Sequence, residues 1–250
     1  MGQVPQVRRE GADMNRTGIP WTDWTWNPVT GCLNGCPYCY ARKLAEGRLA
    51  HIYPNGFEPT FWPERLDEPG KFKRPGLVFV CSMGDIFGLG VKSEWIEAVF
   101  NAVERHNHHT YLYLTKRPDG YALRPGLRKE IPPGGWFGIT VDRNDTNGMR
   151  RADWLRNDVE LECMDRISHR FVSFEPLLGP VSGMVERWMD WIIIGAQTNP
   201  NVQPEREWVQ EILNAADEWG IPVLMKHNLE WPAEDRRFEF PPELERIRNG

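Results

Sequence analysis

The chain has 250 residues, of which 40% are hydrophobic and 12% aromatic, enough for a substantial core in one α/β barrel-type domain or two small domains. No run of about 18 apolar residues occurs, which excludes a membrane-spanning helix from the sequence expectation. The formal net charge of -5 excludes a global attraction to nucleic acid and leaves only local basic groups, Arg42, Lys43 and Arg48 and then Lys71, Lys73 and Arg74.

Met1–Thr17 lacks the apolar stretch of a signal peptide and is expected to form a flexible N-terminal tail, with residues 18–250 as one domain in a reducing, cytoplasmic setting. Further along, short β-branched or aromatic runs alternate with helical patterns. Thr25–Thr30 is a weak strand candidate leading into a cluster of cysteines. Leu77–Cys81 follows, and then Ser93 as an N-cap ahead of Ile96, Val99, Phe100 and Val103 at helical spacing. His106, His108 and His109 at the end of that helix read as surface residues. Thr110–Leu114 and Trp136–Val141 are the next strands, separated by a Pro- and Gly-rich stretch over 117–135 without a clear pattern. A helix within Asn147–Met164 precedes strands at Phe171–Phe174 and Trp191–Ile194. The last helix carries Val209, Ile212, Leu213 and Ala216 and stops near Trp219, because Gly220 accepts a left-handed backbone and Pro222 cannot continue the helix. Pro222–Met225 is a short final strand.

Several of these runs are apolar without strict alternation, as strands covered on both faces are. Strand–helix–strand order implies parallel pairing with right-handed crossovers. The expectation is α/β: a partial (β/α) TIM-type barrel of about six or seven parallel strands, with an open doubly wound sheet as the alternative. A polar residue follows each strand run: Ser82 and Asp85, Lys116, Asp142, Glu175, Gln197, and Lys226 with His227. In such barrels the carboxyl ends of the strands carry the active site.

The five cysteines form no disulfide framework, since three fall within eight residues while Cys81 and Cys163 stand alone. Cys32, Cys36 and Cys39 have the spacing C-x3-C-x2-C, with Tyr38 just before the last and Gly31 and Gly35 permitting a tight path. Clustered thiolates hold iron–sulfur clusters or zinc. Three ligands for a [4Fe–4S] cluster leave one iron open, which suits catalysis. Zinc with a fourth ligand such as His51 and an electron-transfer cluster completed by Cys81 or Cys163 are the competing readings.

The cysteine motif resembles that of the radical S-adenosylmethionine (SAM) superfamily. Segments Trp21–Cys32, Phe79–Phe87, Leu114–Pro118, Ser173–Pro180 and Asp190–Gly195 are similar to a phage-associated family of uncharacterised radical-SAM-like proteins, itself distantly similar to the spore photoproduct lyases. The resemblance implies a radical SAM fold and a [4Fe–4S] cluster on the three cysteines. It implies reductive cleavage of SAM to a 5′-deoxyadenosyl radical, with electrons from a reductant of flavodoxin or ferredoxin type. It also suggests a nucleic acid or nucleotide as substrate. By the same likeness Ser82, Gly84 and Asp85 match the loop that holds the SAM amino group, with Asp85 as its carboxylate partner. Thr140, Asp142, Ser173 and Glu175 match positions near ribose and methionine, and Gly195 allows approach of the adenine. Tyr40 packs on SAM or fills core. Lys116, Lys226 and His227 are implied to face the substrate; Lys116 either holds an anion such as phosphate or carboxylate or is an ordinary surface lysine. Cys81 compares with the hydrogen-donor thiols of radical repair enzymes, against the reading of a buried, inert cysteine. Trp21, Trp24 and Trp26 read as core, or as a lid that stacks on a base. Functions of another class fit the same cysteines: a non-catalytic binding module stabilised by zinc or iron–sulfur, or a redox sensor with a cluster and no SAM cleavage.

Overall fold

The apolar runs become adjacent strands of one sheet. The structure, a computed structural model, describes residues 14–122, 132–157 and 169–249. Among them, ten strands and six α-helices follow in the order β1 (Asn15–Arg16), β2 (Trp24–Trp26), β3 (Val29–Thr30), α1 (Tyr40–Glu46), β4 (Thr60–Phe61), β5 (Leu77–Val80), α2 (Ser93–Arg105), β6 (Thr110–Thr115), α3 (Asp119–Ala122), β7 (Trp136–Thr140), α4 (Thr146–Asn157), β8 (His169–Phe174), β9 (Trp191–Ile194), α5 (Arg206–Trp219), β10 (Val223–Met225) and α6 (Pro242–Asn249). Eight strands form one sheet in the order β1-β2-β5-β6-β7-β8-β9-β10. From β2 to β10 every pairing is parallel, and only the edge strand β1 runs antiparallel, against β2. The fold is therefore mixed α/β around a large, mostly parallel sheet, as strand–helix alternation requires.

Successive side chains on a strand point to opposite faces. In β5, Val78 and Val80 join one core cluster while Leu77 and Phe79 join another. The same division separates Tyr111 and Tyr113 from Leu112, Phe137 and Ile139 from Trp136, and Val172 and Phe174 from Phe171. The first cluster takes the apolar stripes of α2 and α5, through Ile96, Val99, Phe100, Val209, Ile212 and Ala216. The second is filled by strand residues, by Trp21, and by Leu244 and Ile247 of α6. Burying both faces is why the strands read as continuous apolar runs.

Several boundaries differ from the sequence expectation. Thr25–Thr30 is not one strand: Pro28, which has no N–H to donate, separates β2 in the main sheet from β3, which pairs antiparallel with β4. The tail expected over 1–17 overlaps the sheet. Residues 15 and 16 pair with β2, Met14 is buried, and its N–H donates to Glu68 Oε2 at 2.8 Å. Ser93 is the first residue of α2, and Lys92 holds the extended position ahead of it. Helix α4 covers the first part of Asn147–Met164; residues 158–164, including Cys163, lie outside the described residues. Of the stretch 117–135, α3 is one turn and residues 123–131 are likewise outside. His109 is buried rather than exposed, with Nε2 3.1 Å from Pro69 O. Helix α5 ends as expected, with Gly220 at φ 65° in the left-handed region. No described helix is long and apolar enough to cross a membrane.

Gly138 in β7 makes room for Phe171 of the neighbouring strand: a Cβ there would lie 2.3 Å from the ring. Phe171 is held between Trp21 and Trp191, at centroid distances of 6.2 and 5.9 Å, and cannot withdraw. Gly138→Ala is expected to destabilise the fold by about 1–3 kcal/mol, read as a lower urea midpoint at unchanged slope.

Candidate functional site around the cysteine loop

The three cysteines lie on a loop that leaves β3 and ends in α1. Gly31 turns the chain at φ 83°, a backbone that L side chains rarely adopt. Its N–H donates to Met83 O at 2.9 Å, and Gly31 forms an isolated parallel bridge with Gly84. A Cβ on Gly84 would lie 2.8 Å from Gly31 O, so the glycine brings two backbones together. Cys32 N–H donates to Phe57 O at 2.9 Å, and Arg42 Nη2 donates to Cys32 O at 3.1 Å. Cys39 caps α1 by accepting the Arg42 N–H on Sγ at 3.4 Å. Behind the loop, Ala41, Ala45, Leu49, Tyr53, Phe57 and Met83 form a small core of their own, against which Cys32 and Cys39 pack. All three cysteines are half-buried free thiols. Burial, assisted by Asp85, pushes the Cys32 thiol up to about 12, and burial also raises that of Cys36.

Asp85 ties this loop to the sheet. Oδ1 accepts from Thr115 Oγ1 at 2.7 Å and Phe87 N–H at 3.1 Å. Oδ2 accepts from Lys116 N–H at 3.0 Å and Asn34 Nδ2 at 3.1 Å. Burial pushes the carboxyl up, and these four bonds pull it back without cancelling the rise. Asn27 supports the other side of the loop after β5: its Oδ1 accepts Met83 N–H at 2.8 Å and Ser82 Oγ at 3.2 Å.

A cavity of about 410 Å³ opens against the thiols. Cys32, Cys36, Cys39, Tyr40, Ser82, Gly84, Asp85, Lys116, Thr140, Ser173 and Glu175 all line it, with Gln197 and Lys226. The strand-end residues singled out in the sequence are thus largely brought together. Ser173 Oγ is fully buried behind this wall, without a hydrogen-bond partner among the described residues. Glu175 Oε1 accepts a charge-assisted hydrogen bond from Lys226 Nζ. Gly195 stands behind that pair rather than in the wall: a Cβ there would lie 3.2 Å from Glu175 Cδ and 3.1 Å from Lys226 Cδ. Tyr40 is exposed and donates its hydroxyl to Ser82 O at 2.6 Å. Lys116 is not free. Its Nζ donates to Tyr38 Oη at 2.5 Å and sits 3.5 Å from Asp142 Oδ2, to which the Tyr38 hydroxyl donates in turn. Burial pushes the Asp142 carboxyl up, but Lys116, Tyr38 and Arg151 outweigh it and hold the carboxyl below the usual range. Asp142 faces an adjoining cleft instead of the cavity.

Cys81 is placed elsewhere. It is 2% exposed, packs in the helix-covered core and is not among the cavity-lining residues; burial pushes its thiol up to about 12. His51 is exposed and His227 lines a separate cleft with Arg16 and Arg248. Trp26 is buried core, with Nε1 donating to Arg65 O at 2.8 Å, whereas Trp21 lines the cavity floor beside Phe79. Among the described residues no group of three His, Cys, Asp or Glu side chains is placed to hold a metal ion. Sequence reasoning missed Asn34, Thr115 and Tyr38. The one signal for Tyr38 was its place inside the cysteine motif.

Residues 16–246 match the family described as a protein of unknown function, DUF5131, and the chain belongs to that family. No curated protein and no solved structure matches it.

Asp85→Asn sets an amide N–H against at least one backbone N–H, that of Phe87 or Lys116, which the carboxylate now accepts. It is expected to cost about 3 kcal/mol of stability, measured by urea unfolding. A carboxylate present only for a ligand would leave the unfolding midpoint unchanged.

Proposed function

We propose that this member of the DUF5131 family is a radical SAM enzyme, with a [4Fe–4S] cluster on Cys32, Cys36 and Cys39 and SAM in the adjoining cavity. The observation that carries the reading is the convergence of three half-buried thiols and the polar residues from the ends of β5 to β10 on one cavity. A cavity of about 410 Å³ falls in the range of small-molecule cofactor pockets. The donor set fits a cluster better than a single ion. Each thiolate of a cluster binds a different iron, so the three sulfurs need not share one centre as the ligands of a single ion do. Three ligands leave one metal position open, as catalytic sites require.

A cluster held by Cys32, Cys36 and Cys39 would supply one-electron reduction of SAM bound beside it, the source of hydrogen-abstracting radical chemistry. The chain's own residues hold and orient. Asp85 has no acceptor position left, so it fixes the loop, and the SAM ammonium falls to the second carboxylate oxygen of Glu175. Lys226, on the same pair, faces the methionine carboxylate. Thr140 and Ser173 serve the ribose. A one-electron reductant of flavodoxin or ferredoxin type is the partner in this reading. The sheet is taken as a partial (β/α) barrel, since alternate residues of β5 to β10 share one cluster with α6, as a filled barrel interior does.

The test is anaerobic. Reconstituted, dithionite-reduced protein given SAM is expected to release 5′-deoxyadenosine, detected by mass spectrometry, and the Cys32/Cys36/Cys39→Ala variant to release none. A protein that takes up zinc in place of iron–sulfur and does not bind SAM would favour a metal-stabilised binding module instead.

A further inference from the structure

Beside the thiol-lined cavity lies a wider cleft of about 1000 Å³. The two share Asn34, Cys36, Tyr38 and Lys116, so they meet at the cysteine loop. The acidic groups of this cleft are all engaged. Asp119 accepts from Arg117 Nε and Nη2 at 3.0 and 2.8 Å, and Asp153 from Arg156 at 2.8 Å. Asp142 is held by Tyr38 and Lys116, with Arg151 at 3.9 Å. Asp145 accepts the N–H groups of Asn147 and Gly148 at 3.0 and 2.8 Å. Arg143 and Arg150 remain exposed in the cleft and enter none of these pairs among the described residues. The same cleft carries two large exposed apolar side chains, Leu33 and Leu89.

A guanidinium without a carboxylate is a forked donor matched to phosphate. Apolar side chains in the same cleft, Leu33 and Leu89, suit the face of a base or sugar. We propose that this cleft is the substrate site and that the substrate is a phosphate-bearing nucleotide, free or within a single strand, its phosphate on Arg143 and Arg150. Its reacting carbon then lies toward the boundary at Cys36 and Lys116, where the two cavities join. The catalytic part of this inference rests on the radical SAM reading; the binding part does not. With a net charge of -5 on the chain, the attraction is local to this arginine pair.

Binding of 2′-deoxycytidine, its 5′-monophosphate and a ten-residue single-stranded oligodeoxycytidylate is measured by calorimetry on the full chain without SAM. One or both phosphate-bearing ligands are expected to bind at least about tenfold more tightly than the nucleoside. Arg143→Gln with Arg150→Gln is expected to remove that advantage and to flatten the salt dependence of strand binding by about 1.4 in log–log slope. Lys71→Gln with Lys73→Gln, away from the cleft, leaves both unchanged. Monophosphate binding identifies a free nucleotide, and binding of the strand alone a polymer. Equal binding of nucleoside and phosphate forms, absence of binding, or indifference to the arginine substitutions overturns the proposal. Failure of the radical SAM reading would appear separately, in the 5′-deoxyadenosine assay.

Discussion

An ionised carboxylate offers about four acceptor positions, and Asp85 spends all of them inside the protein. The donors come from the cysteine loop, from the segment after β5 and from the end of β6, so one buried side chain fixes three parts of the site relative to each other. The arrangement is high-stakes: a fully satisfied buried network holds one geometry, whereas a half-satisfied one costs more than none. Gly31 and Gly84 complete the docking by letting the two backbones approach without side chains between them. What the three thiols face is therefore decided by the ends of the strands, not by the loop alone.

Around that anchor the charges divide into two neighbourhoods. Glu175 and Lys226 give the smaller cavity one group of each sign, suited to an amino-acid-like zwitterion. Tyr38, Lys116, Asp142 and Arg151 form the boundary with the larger cleft, where two cations share one carboxylate. Arg143 and Arg150 also line that cleft and enter no ion pair among the described residues. The layout separates a cofactor-sized chamber from an open cleft, with Cys36 common to both.

Much of this was legible in the sequence because it depends on local pattern. Apolar runs without alternation gave the parallel strands, and Gly220 with Pro222 gave the end of α5. The residue following each run was the one that reached the cavity in most cases, since strands entering one sheet in parallel all end on the same side. What escaped depends on distant partners. The saturation of Asp85 involves Asn34 and Thr115, 51 and 30 residues away, and Tyr38 meets Asp142 across 104 residues. The engagement of Lys116 was not legible because its partners, Tyr38 and Asp142, lie on other segments. For Cys81 the sequence offered a donor thiol or a buried, inert cysteine, and the chain turns it into the helix-covered core at φ 60°, in line with the second reading.

The central claim is that the loop holds a cluster with one iron open to SAM. Electron paramagnetic resonance of the reduced, reconstituted protein tests it most directly, recorded before and after SAM is added. The account predicts a [4Fe–4S]⁺ signal that disappears from the Cys32/Cys36/Cys39→Ala variant and whose g-values shift when SAM binds. A cluster signal indifferent to saturating SAM, or no cluster in the wild-type protein, would contradict it.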